Sequence, residues 1–397
     1  MKSCGVIVEY NPFHNGHRYH LEQARQKSQA DVVIAIMSGN FLQRGEPAIL
    51  DKWTRAEQAL VNGADLIIEL PVCYAIQSAD YFAKGGIKLL HSLGVTDLCF
   101  GTDSASELDY EAFAKFNSDN EEIISKTFSL LTDKGMSYPQ QMTEVYRQVY
   151  PEWPLDFNSP NHILGMSYAK ENQKYPKQMT LHPLKRVVSN YHDKEIISQQ
   201  FASATAIREA ALNDKLIEAK EVMPNVTYRD LEQVPLVDWN RAWPYLKYQL
   251  LTKTPEDLAA IYQMVEGIEY RLIECVKKAT SFANFVNQVK SKRFTWARIQ
   301  RLCVYVFLNI TEKEMMAAWD APYLRILGFN DKGRKFLNDR RKTATLPLIT
   351  KVCRDNEKQL ELDIKAGKLY QLLTNESKDQ DFARRPIYLK MTNSFKI

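Results

Sequence analysis

The chain has 397 residues, of which 45% are hydrophobic and 25% charged, with a net charge of +4. That size suits two soluble domains, or one α/β domain with a large extension, and no stretch approaches the roughly 20 apolar residues that span a bilayer. The six cysteines (Cys4, Cys73, Cys99, Cys275, Cys303 and Cys353) form no CxxC pair, which argues against a structural zinc site or disulfide frame and fits reduced thiols in a cytoplasm.

The N-terminus does not read as a secretory signal, because Lys2 is followed by Ser3-Cys4-Gly5 and the apolar run breaks at Glu9. Val6-Ile7-Val8-Glu9 reads as a buried strand, stopped by the turn signal Asn11-Pro12 and followed by a helix over residues 17–27. A second strand covers residues 31–37, a helix 51–62, a third strand 66–70, a helix 78–93 and a fourth strand 97–100. Apolar strands alternating with amphipathic helices predict a parallel sheet covered on both faces. Ligands then bind outside the carboxyl ends of the strands, where this chain places its polar clusters. Residues 107–150 read as a helical insertion. A helix follows Ser159-Pro160 over residues 161–170, with proline in its first turn, then a last strand over 179–184 and a helix over 203–212. Beyond Pro224 the pattern is mainly α-helical, and the polar tail 374–397 reads as partly mobile. The expected organisation is a Rossmann-like α/β domain over residues 1–223, then a helical domain over 224–397.

Charge is unevenly spread. Residues 290–342 hold thirteen Lys/Arg against five Asp/Glu, so the rest of the chain is net negative. All seven histidines lie between His14 and His192. Histidine chemistry therefore belongs to the first half and excess positive charge to the second, as in a catalytic domain followed by a binding domain.

The turn after the first strand is Tyr10-Asn11-Pro12-Phe13-His14-Asn15-Gly16-His17-Arg18-Tyr19-His20. It places two imidazoles and a glycine at a helix N-terminus, whose unpaired amides attract anions. Gly16 has no Cβ to hold a phosphate away. Far downstream, Ser203-Ala204-Thr205-Ala206-Ile207-Arg208 puts hydroxyls at another helix start and an arginine one turn later. Alone, this second segment is an ordinary capped helix with an exposed arginine.

Together the two segments resemble the HxGH/ISSTxxR nucleotidyltransferase superfamily, with Phe201-Ala202 where the superfamily carries an isoleucine. Further segments narrow the resemblance. They are residues 38–47, 51–57, 63–71 and 100–103, Ser159-Pro160-Asn161-His162-Ile163-Leu164-Gly165, Leu184-Lys185-Arg186, residues 292–299 and residues 323–329. In this order they resemble the tRNA(Met) cytidine acetate ligase family over most of the chain. The resemblance implies activation of acetate by ATP to acetyl-adenylate. The acetyl group would then pass to N4 of the wobble cytidine of elongator tRNA(Met). It places ATP on the segment Ile7 to His20, comprising Ile7, Val8, Glu9, Tyr10, Asn11, Pro12, Phe13, His14, Asn15, Gly16, His17, Arg18, Tyr19 and His20, and on Gly101, Asn161 and Arg186. It gives the transfer chemistry to His14, His17, Ser203, Thr205 and Arg208. Such catalysis rests on positioning and charge stabilisation.

The residues leave plainer readings open. Gly101 also reads as a turn glycine, Asn161 as a helix cap and Arg186 as a solvated arginine. Arg44, Lys52 and Arg55 read equally as phosphate or acceptor-RNA contacts and as surface charge. Lys292, Arg293, Trp296, Arg298, Arg301 and Arg325 are the expected tRNA contacts, with Phe294 and Trp296 as stacking partners for an unpaired base; the basic residues 334–342 extend the same run. Magnesium is expected with the triphosphate, although no carboxylate cluster marks a protein metal site. No membrane and no obligate protein partner are expected. A small-molecule nucleotidyltransferase of cofactor biosynthesis would use the same HxGH site but would not need the basic second half. A non-catalytic RNA-binding protein would not need both histidines.

Overall fold

Alternate residues of the central strands face two separate cores, which is what makes this sheet a buried middle layer. On β2 (Val32–Ser38), Val33, Ala35 and Met37 join the apolar cluster beneath the helices Asn15–Ser28 and Lys52–Val61. Val32, Ile34 and Ile36 join the larger cluster with the helix Ala79–Ser92. A computed structural model describes residues 1–103, 108–131, 138–151, 159–185, 201–265 and 267–390. The remaining strands are β1 (Ser3–Val8), β3 (Leu66–Leu70), β4 (Asp97–Thr102), β5 (Thr180–Lys185), β6 (Leu324–Asn330), β7 (Leu348–Ile349) and β8 (Ile387–Leu389).

The strand order is β5-β4-β1-β2-β3-β6-β7, with β8 also beside β6. All pairings are parallel except β3 with β6. The chain winds outward from β1 through β2 to β3, then returns to place β4 on the other side of β1. That reversal leaves a crevice outside the carboxyl ends of β1 and β4, the usual ligand position in such sheets. The four early strands and the strand over 179–184 are thus found where the apolar runs predicted them.

The second half is mainly helical, yet it also supplies β6, β7 and β8 to the sheet begun by the first hundred residues. The sheet therefore continues across residue 224. β6 falls inside the region beyond Pro224 that the sequence pattern predicts as mainly helical, and Arg325 stands in the middle of its apolar run. That arginine is buried for a reason. Its guanidinium lies 3.4 Å from Glu69 and 2.9 Å from Asp381, and Lys52 Nζ donates to Glu69 at 2.8 and 3.0 Å and to Asp381 at 2.8 Å. All four side chains are no more than 3% exposed. Lys52 and Arg325 are thus ion-paired in the interior beside β3 and β6, where neither phosphate nor RNA can reach them, and the assignment of Arg325 to tRNA is corrected. Asp363 is a third carboxylate there, accepting from Val72 N at 3.0 Å and from the Tyr323 hydroxyl. With two cations already matched to two carboxylates, burial pushes Asp363 up to about 7. The tail read as mobile is anchored through Asp381 and β8 as far as residue 390. Among the described residues no helix is long and apolar enough to cross a membrane.

Candidate active site

β1 ends at Val8, and the chain turns through Tyr10, held in the left-handed region at φ 53°, to His14 at the N-cap of the helix Asn15–Ser28. His14 caps that helix with its ring: Gly16 N donates to His14 Nδ1 at 3.0 Å. His14 N donates in turn to His17 Nδ1 at 3.3 Å, so the pair forms a reciprocal capping box. The rings stack at 3.8 Å, and Tyr10 packs edge-on against His17. In both neutral imidazoles Nδ1 is an acceptor, which leaves the ring proton on Nε2. Gly16 acquires a second reason to be glycine, since a Cβ there would stand 2.8 Å from His14 Cε1.

The downstream motif forms the start of the helix Ala204–Leu212. Ser203 Oγ accepts from Ala206 N at 3.0 Å, as the hydroxyl at a helix start predicts. Arg208 then turns toward the first motif. Its Nη1 donates to Asn11 O at 2.7 Å and its Nη2 to Thr205 Oγ1 at 3.3 Å, with Glu46 at 3.7 Å. Asn15 Nδ2 also donates to Glu221 O at 2.9 Å, tying the first motif to the 3-10 turn Leu216–Val222 that follows the second. Asn11 and Arg208, 197 residues apart in sequence, are thus in direct contact.

Both segments line a cavity of about 960 Å³ at the predicted crevice. Ile7 to Asn11, His14, Gly16, His17, Tyr19 and His20 form one side, Gly101 and Asn161 another, and Phe201 to Thr205 with Arg208 a third. Asn161 Nδ2 donates to Asp103 Oδ2 at 3.2 Å, while Ser159 makes the cap of its helix. Phe13 is fully buried and supports His17 from behind. Pro12, Phe13, Asn15 and Arg18 are not on the wall. Arg186 lies outside the described residues.

The expected RNA residues divide. Arg293, Arg298 and Arg301 lie on the cavity rim, with Thr295 and Ala297 between them. Arg298 stacks on Phe294 at 4.2 Å, and Phe294 is 6% exposed, so it supports an arginine and is no open stacking platform. Trp296 is half-buried against the core, and Lys292 is exposed. The basic residues 334–342 sit elsewhere. Their helix, Asp331–Arg340, starts where Asn330 grips Asp65, and ends with Arg340 at Gly94. Both places are at the amino ends of the strands, opposite the cavity.

Three contributors were not singled out from sequence. Gln43 bridges the two halves: its N–H donates to Glu9 Oε1 at 2.7 Å and its carbonyl accepts from Arg301 at 3.4 Å. Its position in the polar loop after β2 was the available signal. Gly45, at φ 78°, lets that loop touch the Arg301 backbone, which a Cβ would meet at 2.2 Å. Phe113, Met142 and Tyr146 bring the helical insertion onto the apolar side of the cavity, and no sequence pattern announced it. Arg55, considered for phosphate, is fully buried and donates instead to the carbonyls of Leu50, Glu9, Ser38 and Gly39. Seven lining cations face three carboxylates, which suits a polyanion.

A βα crevice with a histidine-capped helix and an arginine returning from a second helix defines a nucleotidyl-transfer site. The profile of the HIGH Nucleotidyl Transferase family matches residues 1–385. The chain is 45% identical to the tRNA(Met) cytidine acetate ligase of Leuconostoc citreum, covering 99% of both chains, and 38% identical to that of Halalkalibacterium halodurans, covering 98% and 97%. The crystal structure of Thermotoga maritima TmcAL bound with alpha-thio ATP superposes with a TM-score of 0.89 at 32% identity, covering 98% of this chain and all of the other. The chain therefore belongs to the HIGH nucleotidyltransferases and, within them, to the tRNA(Met) cytidine acetate ligase family, and it is an enzyme of the ligase class.

Proposed function

We propose that this protein binds ATP in the cavity, activates acetate as acetyl-adenylate, and acetylates N4 of the wobble cytidine of elongator tRNA(Met). An acetate oxygen attacks the α phosphorus while the bond to the β phosphate's bridging oxygen breaks and pyrophosphate leaves. Charge builds on the α-phosphate oxygens in that step, and the Nε2–H donors of His14 and His17 with the adjoining helix N-terminus suit it. Arg208, Ser203 and Thr205 suit the departing pyrophosphate. Magnesium would arrive with the triphosphate and neutralise part of its charge. Among the described residues no group of three or more His, Cys, Asp or Glu converges on a metal, so phosphate oxygens would supply most of its coordination. The tRNA would approach over Lys292, Arg293, Arg298 and Arg301, and the reduced thiols fit work in the cytoplasm.

The observation that carries this reading is the shared cavity. The Arg208–Asn11 contact joins the two phosphate segments on one side, and the basic stretch from Arg293 to Arg301 forms another side of the same space. The test is incubation with ATP, labelled acetate and bulk tRNA, followed by nucleoside analysis. N4-acetylcytidine and acetate-dependent pyrophosphate exchange are expected. Pyrophosphate release with a cofactor precursor, and no label in RNA, would move the assignment to a small-molecule nucleotidyltransferase.

A further inference from the structure

Three carboxylates line the cavity, and two of them are already engaged. Glu46 faces Arg208 at 3.7 Å, and Asp80 accepts from Ser167 Oγ at 2.9 Å and Lys170 Nζ at 3.3 Å. Glu9 differs. Its Oε1 takes hydrogen bonds from Gln43 N at 2.7 Å and Ser38 Oγ at 3.3 Å, and no cation among the described residues lies within ion-pair distance. Its backbone is fixed as well, since Arg55 Nη1 donates to Glu9 O at 2.6 Å. Oε2 takes none of these hydrogen bonds, and Glu9 is one of the residues that line the cavity.

Position matters as much as bonding. Glu9 follows β1 directly, five residues before His14, and so belongs to the adenylate side. Through Gln43, whose carbonyl meets Arg301, it also touches the loop that packs against the basic segment. Glu9 thus stands where an activated acyl group and an incoming base would meet.

We propose that Glu9, held in place by Gln43, is the catalytic base of acetyl transfer, its Oε2 accepting a proton from the exocyclic N4 amine of the acceptor cytidine. The proposal rests on the functional reading above. N4 is a poor nucleophile because its lone pair is delocalised into the ring, and its protons become acidic only as the new bond forms. In the step, the N4–carbon bond forms and the bond from the acetyl carbon to the adenylate oxygen breaks. The electron pair leaves with AMP, and the N4 proton passes to Glu9. A carboxylate is also the side chain that pairs with the amine edge of cytosine, so one residue serves choice of base and proton removal. Burial holds the Glu9 carboxyl above the usual range, reinforced by Glu46 and opposed by the Gln43 amide, Arg44 and Arg55. A base so tuned works nearer neutral pH. The phenol of buried Tyr168 also feels the Glu9 charge.

The experiment uses the full enzyme with Glu9→Gln, which preserves the acceptor for the Gln43 amide. Transfer from supplied acetyl-adenylate to tRNA is timed in a single turnover, and acetate-dependent pyrophosphate exchange is measured alongside. The ratio of transfer to adenylation is expected to fall about 100-fold or more, the usual worth of a positioned base. The acidic limb of the transfer pH profile should vanish in Glu9→Gln and return, at a lower rate, in Glu9→Asp. Equal loss of both half-reactions, or a limb that persists in Glu9→Gln, overturns the assignment. A wild-type enzyme without acetate-dependent exchange overturns the functional reading itself, and a wild type active in both halves isolates the failure to Glu9.

Discussion

Replacing Lys52 by Met tests whether the buried charge network holds the two ends of the chain together. The methionine keeps much of the length and removes three charged hydrogen bonds, at 2.8, 3.0 and 2.8 Å, from a site 1% exposed. Glu69 and Asp381 are then left with Arg325 alone. Removing one member of a buried pair costs about 3–5 kcal/mol because the partner's charge stays buried without compensation. Against a total stability of about 5–15 kcal/mol that is a large fraction. The neighbouring carboxylates raise the Lys52 pKa in the fold against desolvation. Its contribution is therefore complete below the unfolded lysine value of about 10.4 and fades only as pH rises through the folded one. Urea titration at pH 7 is the assay, with the slope checked for constancy. Asp381→Asn should also destabilise, and the double variant should cost less than the two single losses added, since the groups touch. A loss below about 1 kcal/mol for Lys52→Met, or strict additivity in the cycle, would refute the reasoning, because an uncompensated buried carboxylate pair admits neither.

Further outcomes follow from the same geometry. His14→Ala and His17→Ala should each lower acetate-dependent pyrophosphate exchange by about 100- to 1,000-fold, the usual loss for a donor to a developing oxyanion, while filter binding reports tRNA affinity close to wild type. Matching losses in tRNA binding would place the histidines on the RNA surface. Neutralising Arg293 and Arg298 to Gln should weaken tRNA binding and reduce the magnitude of the log–log salt slope by about one to two; an unchanged slope would remove the cavity rim from the RNA path. Asp363, pushed up to about 7, binds a proton in the fold that the unfolded chain has released above about pH 4. It therefore makes stability fall as pH rises across that window, by at most about 1.4 kcal/mol per pH unit. Asp363→Asn should lack this component, so the stability difference between the two proteins should change in that direction from pH 5 to 7. A difference independent of pH would show that Asp363 titrates normally.

How much was legible depended on whether the cause was local. β1 to β4 were readable because a strand buried on both faces needs an unbroken apolar run, as in Val32 to Met37. The phosphate turn was readable because helix capping acts over three residues, from His14 to His17. β6 was not readable. Its burial of Arg325 is tolerable only beside Glu69 and Asp381, and Asp381 is 56 residues further on. Lys52 and Arg55 failed for the same reason: charged residues are seldom fully buried, and their partners are set by tertiary contact. The basic run 290–342 is continuous as sequence, yet the intervening strand β6 carries its second part to the amino ends of the strands, away from the cavity.

The buried charges and the cavity are mechanically one arrangement. The carboxyl ends of β1 and β2 leave strand-end carbonyls that must find donors, since an unpaired buried carbonyl costs about as much as a lost hydrogen bond. Arg55 supplies those donors for Glu9, Ser38 and Gly39, and it is rigid because it rides on the helix Lys52–Val61. That helix is held at its start by Asp51 capping Trp53 and Thr54, and by Lys52 reaching Glu69 and Asp381. Trp53 Nε1 donates to Gln380 O at 2.7 Å, adding a second tie to the tail. The C-terminal tail thereby fixes the helix that fixes the carbonyl of Glu9. This gives a physical reason for the sheet to take its last strands from the far end of the chain. The residues that would meet RNA, Arg293 to Arg301, and those that would bind ATP, on the turn after β1, line one cavity. The helix Trp296–Phe307 packs in the same apolar cluster as β2, so the distance between the two half-reactions is set by packing.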